Sequence, residues 1–296
     1  MSETINLRGS IVAIITPFNK NGQIDETALR ELVEWHIAEG TDGIVPCGTT
    51  GESATLSHGE HDKVVEIVIE TVNRRIPVIA GAGSNSTTEA IRLTKHAASV
   101  EADFVLSITP YYNKPTQNGL IAHFTRIADE SPIPLILYNV PGRTGVNMLP
   151  ATVAACAKHP RIAGIKEATA DLKQISEIIE NTPKDFIVLS GDDFTVVPTL
   201  AIGGKGVISV TANIAPRLNS EMIKAWESVD IEKAKALHYR LLPLARACFN
   251  ESNPIPVKAG VSLLGKCNNK VRSPLTEASQ ATIDKMKSAI ESLNSR

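Results

Sequence analysis

Short apolar runs recur roughly every 20–35 residues along the chain, separated by segments of helical period. The runs cover residues 11–15, 43–45, 77–80, 104–108, 135–139, 162–166, 187–191 and 206–209, and each reads as a strand. Residues 26–39 place Leu29, Leu32, Val33 and Ile37 on one helical face and stop at Gly40. Ser57-His58-Gly59-Glu60 and Ser86-Thr87-Thr88-Glu89 both match the capping-box pattern, which predicts helix starts at these two points. Eight strand-then-helix units predict a (β/α)8 barrel. An open doubly wound sheet is the alternative, but no GxGxxG follows the first strand.

From about residue 215 the pattern is helical without further strands. Residues 218–226, 231–249 and 276–293 read as three helices, more than the eighth barrel unit needs. The expected organisation is therefore a barrel over residues 1–220 with a C-terminal helical region, 221–296, packed on it. No Gly/Ser/Pro-rich linker separates the two, and Asn253-Pro-Ile-Pro-Val-Lys reads as a rigid turn between helices.

Composition narrows the function classes. A formal net charge of −2 over 296 residues offers no field for nucleic acid or a membrane surface. No apolar run reaches membrane-spanning length, and residues 1–6 lack the basic and apolar regions of a secretory leader. The four cysteines (Cys47, Cys156, Cys248 and Cys267) are scattered without a CxxC pair. That pattern predicts a reduced, cytoplasmic setting and no structural zinc. Cys47 reads as a small buried residue before a reactive thiol.

The chemistry is expected where strands end, because in a barrel the loops after the strands carry the active site. Lys166 ends the apolar run Ile162-Ala163-Gly164-Ile165. Burial disfavours a charged lysine, and a neutral amine attacks ketones and aldehydes. Moving a lysine from about 10.4 toward ~7–8 takes roughly 4 kcal/mol of environmental bias. On position alone, a lysine that snorkels to water or pairs with a carboxylate is the better reading. After the second strand comes Gly48-Thr49-Thr50-Gly51-Glu52-Ser53, whose hydroxyls and amides can cradle a carboxylate or merely serve a glycine turn. Three of the four tyrosines (Tyr111, Tyr112 and Tyr138) sit at strand exits, where a phenol can relay protons or simply pack at the rim. Arg143, on a Pro-Gly loop, suits a substrate carboxylate or a surface salt bridge. Metal chemistry finds little support, since the seven histidines fall mostly in helical segments and no HxH or HExxH occurs. Asp192-Asp193 read as residues that serve a helix start.

Taken together, Gly48-Thr-Thr-Gly-Glu-Ser, Tyr138-Asn-Val-Pro-Gly-Arg-Thr-Gly and Gly164-Ile-Lys-Glu-Ala-Thr resemble the pyruvate-dependent class I aldolases, and within them the dihydrodipicolinate synthases. Ser190-Gly-Asp-Asp, Gly206-Val-Ile-Ser and Asn253-Pro-Ile-Pro-Val-Lys extend the resemblance over nearly the whole chain. It reverses the reading of Lys166. It implies condensation of pyruvate with aspartate 4-semialdehyde through a lysine imine, with no metal or organic cofactor. Lys166 matches the imine-forming lysine, and Tyr138 and Thr50 match its proton relay. Tyr112 matches a tyrosine that reaches a neighbouring subunit's site, in a homo-oligomer expected to be a dimer of dimers. Thr49 and Thr50 match residues that hold the pyruvate carboxylate, Arg143 matches the reader of the semialdehyde carboxylate, and Gly191 and Ile208 match pocket-lining residues.

The resemblance also implies feedback inhibition by L-lysine, with Ser53, Ala54, His58, His61, Asn85, Glu89 and Tyr111 matching the effector positions. Against this, Glu89 has a bland reading as the acid of a capping box, and His58 and His61 as solvated helix residues. The main rival is another aldolase on the same scaffold, such as an N-acetylneuraminate lyase or a keto-deoxy-sugar-acid aldolase. Arg143 and Tyr112 favour the synthase. A barrel that binds a keto acid without turnover is the rival from another class, and intact Lys166, Tyr138 and Thr50 argue against it.

Overall fold

The computed structural model describes residues 7–294, so the leader reading on residues 1–6 lies outside them. The strands are β1 (Gly9–Ala13), β2 (Gly43–Val45), β3 (Ile79–Gly81), β4 (Phe104–Ile108), β5 (Leu135–Asn139), β6 (Ile162–Glu167), β7 (Ile187–Ser190) and β8 (Gly206–Ser209). The helices between them are α1 (Glu26–Ala38), α2 (His58–Val72), α3 (Thr87–Ser99), α4 (Gln117–Glu130), α5 (Pro141–Thr144), α6 (Pro150–Cys156), α7 (Leu172–Asn181) and α8 (Val196–Ala201). After β8 follow α9 (Pro216–Glu227), α10 (Ile231–Cys248), α11 (Ile255–Leu263) and α12 (Gln280–Asn294). The strands form one eight-stranded sheet in the order β2-β1-β8-β7-β6-β5-β4-β3, and every registered pair is parallel. This is the (β/α)8 barrel class, with a C-terminal helical region. Nearly every strand position is buried, as expected of parallel strands covered on both faces.

The chain divides into two compact units. One holds Ile79–Ile208 with the described residues before Ser10, and so carries β3–β7 and α3–α8. Within it, β5 and β6 pair so that Tyr138 lies beside Lys166, and Asn139 beside Glu167. The other unit holds Ser10–Val78 and the described residues from Ser209 onward, carrying β2, α1, α2 and α9–α12. There the Asn213 side chain clamps the end of β1, accepting from the Ile15 amide at 3.0 Å and donating to the Ala13 carbonyl at 2.8 Å.

Helix starts follow the local chemistry. Asp25, Ser57, Thr116, Asp171 and Asp230 each accept a hydrogen bond from a first-turn amide. At Ser57 the full capping box forms with Glu60. The box expected at Ser86 and Glu89 does not form: Ser86 makes no cap bond, and Glu89 instead accepts from Ser84 Oγ. Ser84 lies in the loop ahead of the helix and reaches the carboxylate first.

The segment expected as a turn, Asn253-Pro-Ile-Pro-Val-Lys, leads directly into α11, whose residues 255–261 are all buried. Proline in the first helical turn loses no bond that a helix start could make, so the two prolines open a helix instead of breaking one. Among the described residues no helix is long and apolar enough to cross a membrane.

Candidate active site

Lys166 sits one residue before the end of β6 and is 5% exposed. Its Nζ lies 4.3 Å from the centroid of the Tyr138 ring, and Tyr138 is itself buried on the neighbouring strand. The strand alternation that turns this pair to one face turns the next pair, Asn139 and Glu167, to the other. Glu167 is fully buried and accepts from Asn139 Nδ2 at 3.0 Å, Gln174 Nε2 at 3.2 Å and the Thr169 amide at 2.8 Å. Burial pushes its carboxyl above the usual range, and the three donors pull it back. Asn139 Oδ1 accepts from the Met148 amide at 2.9 Å, and Asn147 exchanges bonds with Gln174 at 2.8 and 3.1 Å. One polar cluster thus ties the ends of β5 and β6 to the far side of the loop that carries Arg143.

Arg143 itself is exposed, on the short helix α5. Thr144 beside it is buried and accepts from Thr109 Oγ1 at 3.3 Å, which fixes this loop to the one after β4. Gly191, just past β7, packs on the lysine stem: a Cβ there would stand 2.7 Å from Ala168 Cβ and 3.0 Å from Lys166 Cε. Its amide donates to the Glu167 carbonyl at 2.7 Å. Asp192 accepts from Thr195 Oγ1 at 3.0 Å and from the Phe194 and Thr195 amides, which precede α8; the N-cap of that helix is Thr195 and makes no side-chain cap bond, so the capping role read from sequence does not form. Ile208 is buried on β8.

Tyr112 is 89% exposed and holds the left-handed backbone conformation at φ +72°, which is costly for a tyrosine. Asn85 donates to the Tyr111 carbonyl at 3.2 Å, and Asn113 Nδ2 donates to the Asn85 carbonyl at 2.9 Å. The expected effector residues Asn85 and Tyr111 therefore meet, with Glu89 on α3 a few residues on.

In the other unit, Thr50 is 2% exposed, and its Oγ1 accepts from Asn253 Nδ2 at 2.9 Å. Thr49 beside it is half-buried. The loop has little freedom. Thr16 Oγ1 donates to the Gly51 carbonyl at 2.7 Å, and a Cβ on Gly51 would stand 3.1 Å from both Cys47 N and Ile14 O. Glu52, at φ +56°, turns a buried carboxylate onto Lys258 Nζ and accepts from the Arg272 amide at 3.0 Å. Lys258 is fully buried, and its Nζ lies 4.1 Å from the Phe18 ring centroid. Desolvation lowers its pKa, and Glu52 works in the opposite direction. Arg272 also grips Glu60 through both terminal guanidinium nitrogens, at 2.9 and 2.6 Å, which holds the Glu60 carboxyl down at about 2.

Ser53 and Ala54 form a short 3-10 turn, His58 is exposed at the start of α2, and His61 is buried. Cys47 is buried too, and burial pushes its thiol far up, in keeping with an inert core residue. Sequence reasoning gave no role to Ser84, Asn253, Lys258 or the Asn139–Glu167 cluster, although all but Ser84 lie within the motifs that carry the family resemblance.

A sequence model of the dihydrodipicolinate synthetase family matches residues 6–293. The 4-hydroxy-tetrahydrodipicolinate synthase of Thermodesulfovibrio yellowstonii is 59% identical over 96% of this chain and 98% of its own. That of Geobacter metallireducens is 58% identical over 94% and 96%. Among solved structures, a chloride-inhibited dihydrodipicolinate synthase from Acinetobacter baumannii complexed with pyruvate superposes with a TM-score of 0.95 at 46% identity, covering 97% of this chain and 99% of that one. The Cyanidioschyzon merolae enzyme with lysine bound gives 0.94 at 39% identity, with 97% and 98% covered. With its fold, its strand-end lysine and tyrosine, and near full-length matches of this strength, the chain belongs to the dihydrodipicolinate synthetase family and is a lyase.

Proposed function

We propose that this enzyme condenses pyruvate with L-aspartate 4-semialdehyde to give 4-hydroxy-tetrahydrodipicolinate, the first committed step of lysine and diaminopimelate biosynthesis. The observation that carries the reading is Lys166, buried at a strand end with its amine over the Tyr138 ring. The Lys166 amine adds to the pyruvate ketone, a C–N bond forms and water leaves. The protonated imine draws electrons from the methyl carbon, which loses a proton and becomes an enamine. The enamine carbon attacks the aldehyde, forming the new C–C bond. The substrate amine then displaces Lys166 by transimination and closes the ring, so no metal or organic cofactor is required.

Tyr138 shuttles the protons, Thr50 continues the relay, and Thr49 and Thr50 hold the pyruvate carboxylate. What supports the threonines is their Gly-Thr-Thr-Gly motif and the buried, hydrogen-bonded Thr50 hydroxyl. Arg143, exposed on its loop, meets the semialdehyde carboxylate. Gly191 and Ile208 line the pocket. Tyr112, with its ring exposed and its backbone held in a costly conformation, completes the relay of a neighbouring subunit in a cytoplasmic dimer of dimers.

A coupled assay decides between the synthase and the sugar-acid aldolases. Turnover is expected with pyruvate and aspartate 4-semialdehyde, and cleavage of N-acetylneuraminate or a keto-deoxy sugar acid in its place would overturn the assignment. Gly191→Ala tests the packing around the lysine. The added methyl must displace the Lys166 stem, so imine formation should slow by on the order of 10²-fold. An unchanged rate of borohydride trapping would remove Gly191 from the site.

L-Lysine is the proposed effector, held by Ser53, Ala54, His58, His61, Asn85, Glu89 and Tyr111. The lysine-bound relative supports this. Millimolar lysine should inhibit the unmodified enzyme. Glu89→Thr and His58→Ala should keep activity and melting temperature but lose the response. Indifference of the unmodified enzyme to lysine would sink the regulatory reading alone.

A further inference from the structure

Resting on the reading of Arg143 as the residue that meets the semialdehyde carboxylate, we propose that Glu167 is a positioning residue: its buried carboxylate closes the loop that carries Arg143 and so sets where the guanidinium stands. The loop runs from Asn139, at the end of β5, to Met148, and its two ends meet beside this acid. The Met148 amide donates to Asn139 Oδ1 at 2.9 Å. Asn139 Nδ2 donates to Asn147 Oδ1 at 2.8 Å and to Glu167 Oε2 at 3.0 Å. From α7, Gln174 Nε2 donates to the same carboxylate oxygen at 3.2 Å and to Asn147 Oδ1 at 3.1 Å, while Asn147 Nδ2 donates to Gln174 Oε1 at 2.8 Å. The Thr169 amide donates to Glu167 Oε1 at 2.8 Å. Asn139 and Glu167 are both fully buried.

The backbone fixes the direction of every bond in this cluster. A peptide N–H can only donate. The Met148 amide therefore makes the Asn139 atom it meets the oxygen, which turns Nδ2 toward Asn147 and Glu167. Asn147 answers with Oδ1, its own NH2 falls to Gln174 Oε1, and Gln174 Nε2 is left facing the acid. All three partners of Glu167 are donors, and among the described residues no cation pairs with it. A protonated carboxyl would have a hydrogen to give and no partner to take it, so the cluster is built for the ionised form. A neutral amide in its place presents an NH2 to one of these donors whichever way it turns. The loop has further anchors in Thr144, which accepts from Thr109 Oγ1, and in Gln117 on α4, whose Oε1 accepts from the Leu149 amide at 3.1 Å. Glu167 and its donors fix the remaining, strand-side ends, and Arg143 lies between them. Lys166 faces the opposite side of β6, so a fault at Glu167 reaches the Arg143 loop through hydrogen bonds and the amine only through the strand.

Glu167→Gln tests the positioning, since it keeps the shape and sets an NH2 against a donor. KM for aspartate 4-semialdehyde should rise by about 10-fold, while the rate of borohydride trapping with pyruvate changes by less than about 2-fold. The melting temperature should move little, because the variant loses a hydrogen bond but no longer buries a charge. Gln174→Met removes one donor without touching β6 and should raise the same KM by about 3-fold. It carries the comparison if Glu167→Gln does not fold. In an Arg143→Ala background, either substitution should add little to the rise caused by Arg143→Ala alone. An unchanged KM for the semialdehyde would overturn the proposal. Trapping that slows as much as KM rises would overturn it too, since Glu167 would then act through the strand end that holds Lys166. Effects that multiply in the double variants would do the same. Failure of the underlying reading looks different: Arg143→Ala alone would leave KM for the semialdehyde unchanged, and both assignments would fall together.

Discussion

Lys166→Arg is expected to lower kcat/KM by at least about 10³-fold while leaving the protein folded. Arginine keeps a positive charge and a long apolar stem but stays protonated and cannot form an imine at neutral pH. The site is suited to this comparison because Lys166 is buried against Tyr138 and Gly191, so charge and packing would be the competing explanations for its presence. Mass spectrometry after borohydride treatment with pyruvate should find the adduct on the Lys166 peptide of the unmodified enzyme and nowhere in the variant. An adduct on another lysine, or substantial turnover by the arginine variant, would remove Lys166 from the chemistry.

The largest effect on stability is expected at Lys258. Its side chain and that of Glu52 are both fully buried, so Lys258→Met leaves a carboxylate without its cation. Breaking a buried ion pair from one side costs about 3–5 kcal/mol, which for a domain of this size lowers the melting temperature by roughly 5–15 °C. The Arg272 amide still donates to Glu52, which favours the lower half of that range. Adding Glu52→Gln should recover most of the loss, because the remaining group is then neutral. Calorimetry on the two variants separates the outcomes. A single variant that melts like the unmodified protein would mean that the pair is not an anchor of the loop.

How far the chain could be read in advance depended on whether each signal was local. β2, β4, β5 and β8 lie where their apolar runs place them, because a buried parallel strand needs no partner to show itself in sequence. β1 begins two residues earlier than its run, at Gly9, since Gly9 and Ser10 are buried strand positions without an apolar signature. α11 was hidden by its prolines, which mark a turn or a first helical turn equally well. The Ser86–Glu89 box failed through a competitor outside the motif, Ser84. Lys166 and Tyr138 could be named singly, but their contact depends on the β5–β6 register, which only the folded sheet shows. Pairs such as Glu52 with Lys258 and Thr50 with Asn253 are set by tertiary structure alone, and nothing near either residue announces the other.

That separation has a consequence for how a newly made chain matures. Glu52 leaves the ribosome 206 residues ahead of Lys258, and Thr50 leaves 203 ahead of Asn253. At roughly 5–20 residues per second, the acid waits on the order of 10–40 s for its cation. During that interval burying the loop is unfavourable, because the carboxylate has no partner to enter with. The Gly-Thr-Thr-Gly segment therefore lacks its Lys258 and Asn253 anchors until α11 arrives, with the contact of Thr16 on Gly51 left to hold it. A polypeptide that ends before residue 253 carries the strand ends with Lys166 and Tyr138 but lacks both groups, Asn253 and Lys258, that hold the threonine loop.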